Sequence, residues 1–425
     1  MGSDNTTKEK GRYKLLSIIG ARPQIIKSAA ISRAIRDHYS NYFEEIILHT
    51  GQHYDQNMSD VFFIEMEIPQ PHYNLSVGSG SHGLQTAKMI QGIEEVLVAT
   101  KPDAVIVYGD TNSTMAGAIA ASKLKIPVVH IEAGLRSFNK SMPEEINRIV
   151  CDHTSTMLFT PTRTGLKNLE REGLHCSDGG DNIEMEGEEF SMDNPGVFHT
   201  GDVMFDNTLF FAELAEKKNP LSKFKLQQLN KPTSAEKSNE SLEPNEYVLA
   251  TIHRDSNTED AYRMKSIFNA LIDLSEQYEK IIVMPLHPRT AKVLEERLGD
   301  ELYKKVLNSK FIKVVPGVSF FEMITLEKNA ELIITDSGGV QKEAYFLGKP
   351  CLILRPQTEW VEIVEKGAAL LVDDDYVDII KGYDKMRGRQ INFPPIFGDG
   401  KAAENILGII KNSMEHKLIM TAILG

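Results

Sequence analysis

The chain has 425 residues, with 60 acidic side chains against 47 Lys and Arg and a formal charge of -13. At roughly 150 residues per domain this length allows two or three domains with ample core, and the acidic balance speaks against a nucleic-acid binder, which concentrates Lys and Arg on one face. No stretch approaches the roughly 18 apolar residues of a membrane helix, and the polar start MGSDNTTKEKGR lacks the apolar core of a signal peptide, so a cytoplasmic protein without membrane contact is predicted.

After a head at 1–12 predicted to be disordered, YKLLSIIG reads as a strand and PQIIKSAAISRAIRDHY as an amphipathic helix. The alternation continues through the strand EEIILHT, the helix QTAKMIQGIEEVLVAT, the strand AVIVYG, the helix MAGAIAASKLK and the strands PVVHI and TSTMLFT. Strands alternating with helices of this length predict right-handed βαβ crossovers and a parallel sheet. The Gly-rich, acidic stretch from His175 to Asn194 has no apolar period and reads as a surface insertion; a polar run from Asn219 to Asn245 follows. A second series then runs through YVLATIH, the helix YRMKSIFNALIDLSEQY, KIIVMPLH, ELIITD, the helix VQKEAYFLG and PCLILR, ending in the helix KAAENILGIIKNSM. The predicted fold class is α/β, with two doubly wound parallel-sheet domains at 13–198 and 199–395 and a terminal segment, 396–425, packing back on the first. Cys151, Cys176 and Cys351 lie far apart with no CxxC spacing, so neither a disulfide framework nor a zinc site is predicted.

Chemistry is expected where apolar strands deliver charged side chains to the carboxyl edge of a parallel sheet, the ligand crevice of open α/β folds. Asp110, Glu132 and Glu144 are each read as lying just past such a run, in AVIVYGDTNST, IPVVHIEAGLRS and MPEEINR. Like charges in one crevice raise each other's pKa and suit proton transfer near neutrality; the same acids can instead cap helices or pair with Arg136 and Arg148. Arg22 and Lys27, in IIGARPQIIK, offer a planar fork and a point charge to a pyrophosphate, or are surface bases. In ELIITDSGGVQKEA, Ser337, Gly338 and Gly339 come between a strand and a helix, where backbone amides and a hydroxyl suit an anion, though a capped helix start reads the same way. Glu343, about two turns on, suits the two hydroxyls of a ribose. His253 with Arg254, and His287 with Arg289, end two strands of the second series, within reach of an inter-domain cleft. A histidine there can protonate a leaving phosphate or steady its charge; for His287 a binding or structural role is expected.

The motifs GARPQIIK, YGDTNST, HIEAGLRS, PEEINR, TIHR, DSGGVQKEA and RPQTEWVE occur in the order found in non-hydrolysing UDP-N-acetylglucosamine 2-epimerases, which the chain resembles from about Tyr13 to Met414. The resemblance implies Rossmann-like domains in a glycosyltransferase-B arrangement, with a UDP-sugar between them and a homodimer as the assembly. It puts Asp110, Glu132, Glu144 and His253 on the family's catalytic positions. Arg22, Lys27, Ser337, Gly338, Gly339 and Glu343 fall on nucleotide-contacting ones, and Arg355, Thr358 and Glu359 on a segment expected to touch sugar or phosphate. The implied reaction inverts C2 of the sugar by eliminating UDP through an acetamidoglucal and adding it back. Carboxylates and a histidine meet that need, so no cofactor and no metal are expected. GARPQ and TEWVE also resemble the subgroup acting on UDP-2,3-diacetamido-2,3-dideoxyglucuronate. A glycosyltransferase of the same fold would need an acceptor site. A hydrolysing epimerase would be expected to carry an acid where this chain has Pro23 and Gln24.

Overall fold

The computed structural model of the chain describes residues 11–52, 63, 67–177, 189–224, 242–286, 288–416 and 418. The chain divides into two compact units, Met1–Asn207 with Pro395–Gly425, and Thr208–Pro394. The first holds strands β1 (Tyr13–Ile19), β2 (Phe43–His49), β3 (Tyr73–Asn74), β4 (Ala104–Tyr108), β5 (Val128–Ile131), β6 (Met157–Thr160) and β7 (Gly196–His199), in the spatial order β3-β2-β1-β4-β5-β6-β7. The second holds β8 (Tyr247–Thr251), β9 (Ile281–Pro285), β10 (Ile312–Val315), β11 (Leu332–Thr335), β12 (Cys351–Ile353) and β13 (Ala369–Leu371), in the order β10-β9-β8-β11-β12-β13. Every pairing is parallel, so each unit is the doubly wound sheet that the alternation of strands and helices predicts. Chain order reverses between β1 and β4 in one sheet and between β8 and β11 in the other. Outside the carboxyl ends at such switch points the flanking loops splay apart and leave a crevice.

The central strands read as unbroken apolar runs because helices cover both faces of a parallel sheet. Leu16, Ile18, Val105 and Val107 are fully buried with Met89, Ile93 and Ala116 of the covering helices. Val248, Ile282, Ile334 and Leu352 do the same against Phe268 and Leu271. Truncating one such side chain to Ala costs about 2–5 kcal/mol in comparable cores.

Local differences from the sequence reading have local causes. The helix expected from MAGAIAASKLK runs Asn112–Lys123, because the Thr111 hydroxyl accepts from the Thr114 amide and starts it three residues early. The helix expected beyond Gly339 begins at Gly338, with Ser337 as its cap. Residues 178–188 of the acidic insertion, 225–241 of the polar run and 1–10 of the head lie outside the described residues. The far end of the insertion is not surface: Phe190 is 4% exposed and meets Phe198 of β7 edge-on.

The terminal helix Ala402–Glu415 lies against the helix Arg22–Ala34. Asp206 anchors its start by accepting from the amides of Ala402 (3.1 Å) and Ala403 (2.8 Å), two of the donors that a helix start leaves unpaired. Burial lifts the Asp206 carboxyl to about 6, against the pull of those amides and of Arg33 and with a further push from Asp202. Its folded pKa stands above the unfolded value of 3.8, so the native state binds the proton more tightly, and stability falls as pH rises from 3.8 to about 6. Urea unfolding across that window should show this fall, and Asp206→Asn should flatten it. Equal slopes in the two proteins would contradict the assignment.

Candidate active site

In the first unit, Asp110 follows β4 and Glu132 follows β5, the neighbouring strand. Each acid meets its own cation. Lys27 Nζ lies 2.6 Å from Glu132 Oε1 with both side chains nearly buried, and the Arg148 guanidinium pairs with the Asp110 carboxylate. Arg148 also reaches Glu145 at 3.0 Å, and buried Glu145 accepts from the amides of Ser137 and Phe138, which ties down the loop after β5. Removing one partner from a buried pair of this kind costs about 3–5 kcal/mol, because the other charge is stranded away from water. Lys27 is therefore committed to the acid cluster and does not stand open at the end of β1. Arg22, in contrast, is exposed at the first position of its helix.

Backbone geometry here is costly. Glu132 has φ +73°, a left-handed conformation that costs a non-glycine residue about 1–3 kcal/mol. Gly109, at φ +62°, packs under the acid pair: a Cβ there would stand 2.9 Å from Lys27 Nζ and 3.4 Å from Glu132 Oε1. Only a glycine allows both the turn and the approach. Strain held in place by surrounding structure gathers at functional sites.

Burial raises the pKa of Asp110, the cations Arg148 and Lys27 pull it back, and the charges of Glu132 and Glu144 push it up again, for a net rise. The Asp110 carboxyl keeps a solvent-facing edge, 27% exposed. Glu144 does not follow a strand as the sequence reading had it. It is exposed in the first turn of the helix Pro143–Asp152, where the helix dipole favours an acid, and acts on Asp110 through its field.

Gln24 is buried, with its amide donating to the Tyr108 carbonyl (3.1 Å) and to the Thr114 hydroxyl (2.9 Å). It thereby joins the turn after β1 to the end of β4, a neutral link where a carboxylate would lack these donors' complement.

In the second unit the ends of β8 and β11 are tied by Asp336, which is fully buried and accepts from the amides of His253 (3.1 Å) and Arg254 (3.0 Å) and from Asn257 Nδ2 (3.1 Å). His253 Nδ1 lies 3.3 Å from Asp336 Oδ1, so an N–H at Nδ1 faces that carboxylate, and a proton on Nε2 as well lets the ring donate to a phosphate. The helix Gly338–Phe346 starts beside it, and the Ser337 hydroxyl accepts from the Val340 amide while its own hydrogen can still be donated. First-turn amides with the positive end of the helix dipole form an anion site. Over Gly338 stands the Glu359 carboxylate, where a Cβ would overlap it, with Arg254 close by and Arg355 paired to Glu359 at 3.0 Å. Thr358 donates to Gln341 Oε1 (2.6 Å) and so pins the segment after β12 to the same helix. Further along, Glu343 faces Glu327. Burial first, then the charge of Glu343, holds the Glu327 carboxyl well above its ordinary pKa.

Of the residues singled out in the sequence, Asp110, Glu132, Glu144 and Lys27 gather in the first unit, and His253, Ser337, Gly338, Gly339, Arg355 and Glu359 in the second. Thr358 and Glu343 stand on the flanks of the latter group, and His287 lies outside the described residues. Sequence reasoning passed over the clamping role of Asp336 and the buried Glu327. An acid directly before Ser-Gly-Gly was the available signal for the first; nothing local marks the second.

A family model described as UDP-N-acetylglucosamine 2-epimerase matches residues 35–411. A UDP-N-acetylglucosamine 2-epimerase homolog of Methanococcus maripaludis is 46% identical over 94% of this chain and 99% of its own. The UDP-2,3-diacetamido-2,3-dideoxy-D-glucuronate 2-epimerase of Pseudomonas aeruginosa is 43% identical over 92% of this chain and 98% of its own. The crystal structure of Methanocaldococcus jannaschii UDP-GlcNAc 2-epimerase, in complex with UDP-GlcNAc and UDP, superposes with a TM-score of 0.75 at 42% identity, covering 94% of this chain and 99% of that one. With a family model matching most of its length and a relative 46% identical over nearly all of both chains, the chain belongs to the UDP-N-acetylglucosamine 2-epimerase family.

Proposed function

We propose that this chain inverts C2 of a UDP-linked 2-acetamido sugar by eliminating UDP and adding it back. The observation that carries the reading is the pair of acids at neighbouring strand ends, Asp110 with Arg148 and Glu132 with Lys27. The C2 hydrogen is not adjacent to a carbonyl, so its removal needs a leaving group. A carboxylate takes the C2 proton, the C–H electrons form the C1=C2 bond, and the C1–O bond breaks with its electrons passing to UDP. Return of a proton to the opposite face of C2, with attack of the UDP oxygen at C1, completes the inversion. Two acids held on separate turns suit the two faces, and a UDP that never departs keeps the return step effectively unimolecular.

Asp110 and Glu132 carry the C2 proton, and Glu144 shapes the field around Asp110. His253 steadies the departing phosphate. The Ser337–Gly338–Gly339 helix start and Arg22 take the phosphates, Glu343 the ribose hydroxyls, and the segment with Arg355, Thr358 and Glu359 meets sugar or phosphate; Lys27 pairs with Glu132. On the family resemblance alone, the enzyme is read as a cytoplasmic homodimer.

Incubation in deuterated water with UDP-GlcNAc, and separately with its 3-acetamido uronate analogue, tests both reaction and substrate by product NMR. Deuterium at C2 with UDP retained is expected, and the faster substrate names the subgroup. Free UDP with a reducing sugar would instead mean hydrolysis. Asp110→Asn should lower exchange at least about 100-fold with UDP affinity within twofold; surviving exchange would remove Asp110 from the chemistry.

The pH dependence carries a sign. Arg148 favours ionised Asp110, so Arg148→Met should move the acid limb of the rate profile to higher pH. An unmoved limb would show that the limb belongs to another group.

Glu359 places a negative charge where the phosphates are proposed to bind. Removing it with Glu359→Gln should tighten UDP binding about 3- to 5-fold, the effect of ~1 kcal/mol at a helix start. Calorimetry showing weaker UDP binding would contradict this placement.

A further inference from the structure

His130, the first residue of HIEAGLR, is fully buried on β5 and has no place in the chemistry above. Its two ring nitrogens both face acceptors. Nδ1 lies 2.6 Å from Asp152 Oδ1, and Nε2 lies 2.8 Å from the Gly109 carbonyl oxygen. A neutral imidazole has one N–H, so it would set a lone pair against one of these oxygens; only the imidazolium, with two N–H donors, satisfies both.

The ring's partners lead to both acids. Gly109 is fastened to β5 at each end, its amide donating to Ile131 O (3.0 Å) and its carbonyl accepting from His130, and the next residue is Asp110. On the other side, Asp152 Oδ2 accepts from the Gly134 amide (3.1 Å), two residues past Glu132, and from Arg136 Nη1 (2.7 Å). Arg136 in turn forms a fork with Glu172, at 2.8 and 2.7 Å. The groups facing the ring are thus Asp152, the Gly109 carbonyl and the Cys151 thiol, with Arg136 and Glu172 behind Asp152. Burial works against the ring's proton, the Asp152 carboxylate at Nδ1 favours it, and the pKa lies above the ordinary value.

We propose that His130 is a positioning residue: a permanent imidazolium, clamped between Asp152 and the Gly109 carbonyl, that holds the turn delivering Asp110 and ties it to the turn carrying Glu132. The proposal rests on the proton-transfer role given to Asp110. Loss of the Nε2 donor frees the Gly109–Asp110 peptide, and displacement of a reacting group by about 1 Å costs about 100-fold in rate.

Two substitutions separate this from a purely structural role. The amide nitrogen of Asn falls near the position of Nδ1, so His130→Asn keeps a donor to Asp152 and loses the one to Gly109. The longer Gln does the opposite. Measured on the full-length protein, kcat should fall about 100-fold in His130→Asn and no more than about 10-fold in His130→Gln. UDP affinity should stay within twofold in both. Thermal stability should order the other way, Asn above Gln, because Gln takes from the buried Asp152 Oδ1 its donor. Activity that follows the melting order, or an Asn variant within threefold of wild type per folded molecule, would overturn the proposal. If neither variant folds, nitrogen-15 NMR of the wild-type ring decides: both nitrogens protonated at pH 9 is expected, and a neutral ring sinks the clamp. That measurement is independent of C2 exchange, so failure of the clamp and failure of the proposed reaction are distinguishable.

Discussion

A carboxylate taken out of water stays ionised only if a cation stands against it, and the first unit is arranged around that constraint. Asp110 and Glu132 end neighbouring strands, and each is answered from a different element: Arg148 from the helix after the loop, Lys27 from the helix after β1. The acids are not equivalent. Asp110 keeps an edge to solvent and a raised pKa, whereas Glu132 is locked to Lys27 on a left-handed backbone. Unequal environments around two acids are what separates a group that takes a proton from one that gives it.

The second unit is proposed to meet a different demand, the capture of negative charge. Its parts follow from the same sheet order: Asp336 ties β8 to β11, and the Gly338–Phe346 helix begins at that tie. Glu359 stands at the amides where a phosphate would bind, so the cradle already holds an anion of the protein's own. Arg355 and Arg254 close to that carboxylate balance it, and both can turn to a diphosphate in its place.

Much of this was legible in the chain because parallel-sheet strands buried on both faces are strong signals: YKLLSIIG, AVIVYG and ELIITD each gave a strand in place. Three short or interrupted strands were not. In β10 the apolar run is broken by buried Lys313, β7 is four residues hidden behind an acidic insertion, and β13 is three residues before an Asp run. Asp110 and Glu132 were readable because an acid after an apolar run is unusual. Arg148 was readable as a partner for such an acid, but Lys27 was not, since it looks like an ordinary helix cation until the fold brings it to Glu132, 105 residues along the chain. The role of His130 needs both of its ring contacts, 22 and 21 residues away, and no local pattern contains them.

The central claim is that the C1–O bond to UDP breaks while the nucleotide stays bound. A UDP-sugar carrying oxygen-18 in the bond between C1 and the β-phosphate tests it most directly. Cleavage makes that oxygen one of three on the terminal phosphate, and torsional rotation before return moves label out of the bridge. The account predicts scrambled label in recovered UDP-sugar together with inversion at C2. Inversion with all of the label still in the bridge would contradict it.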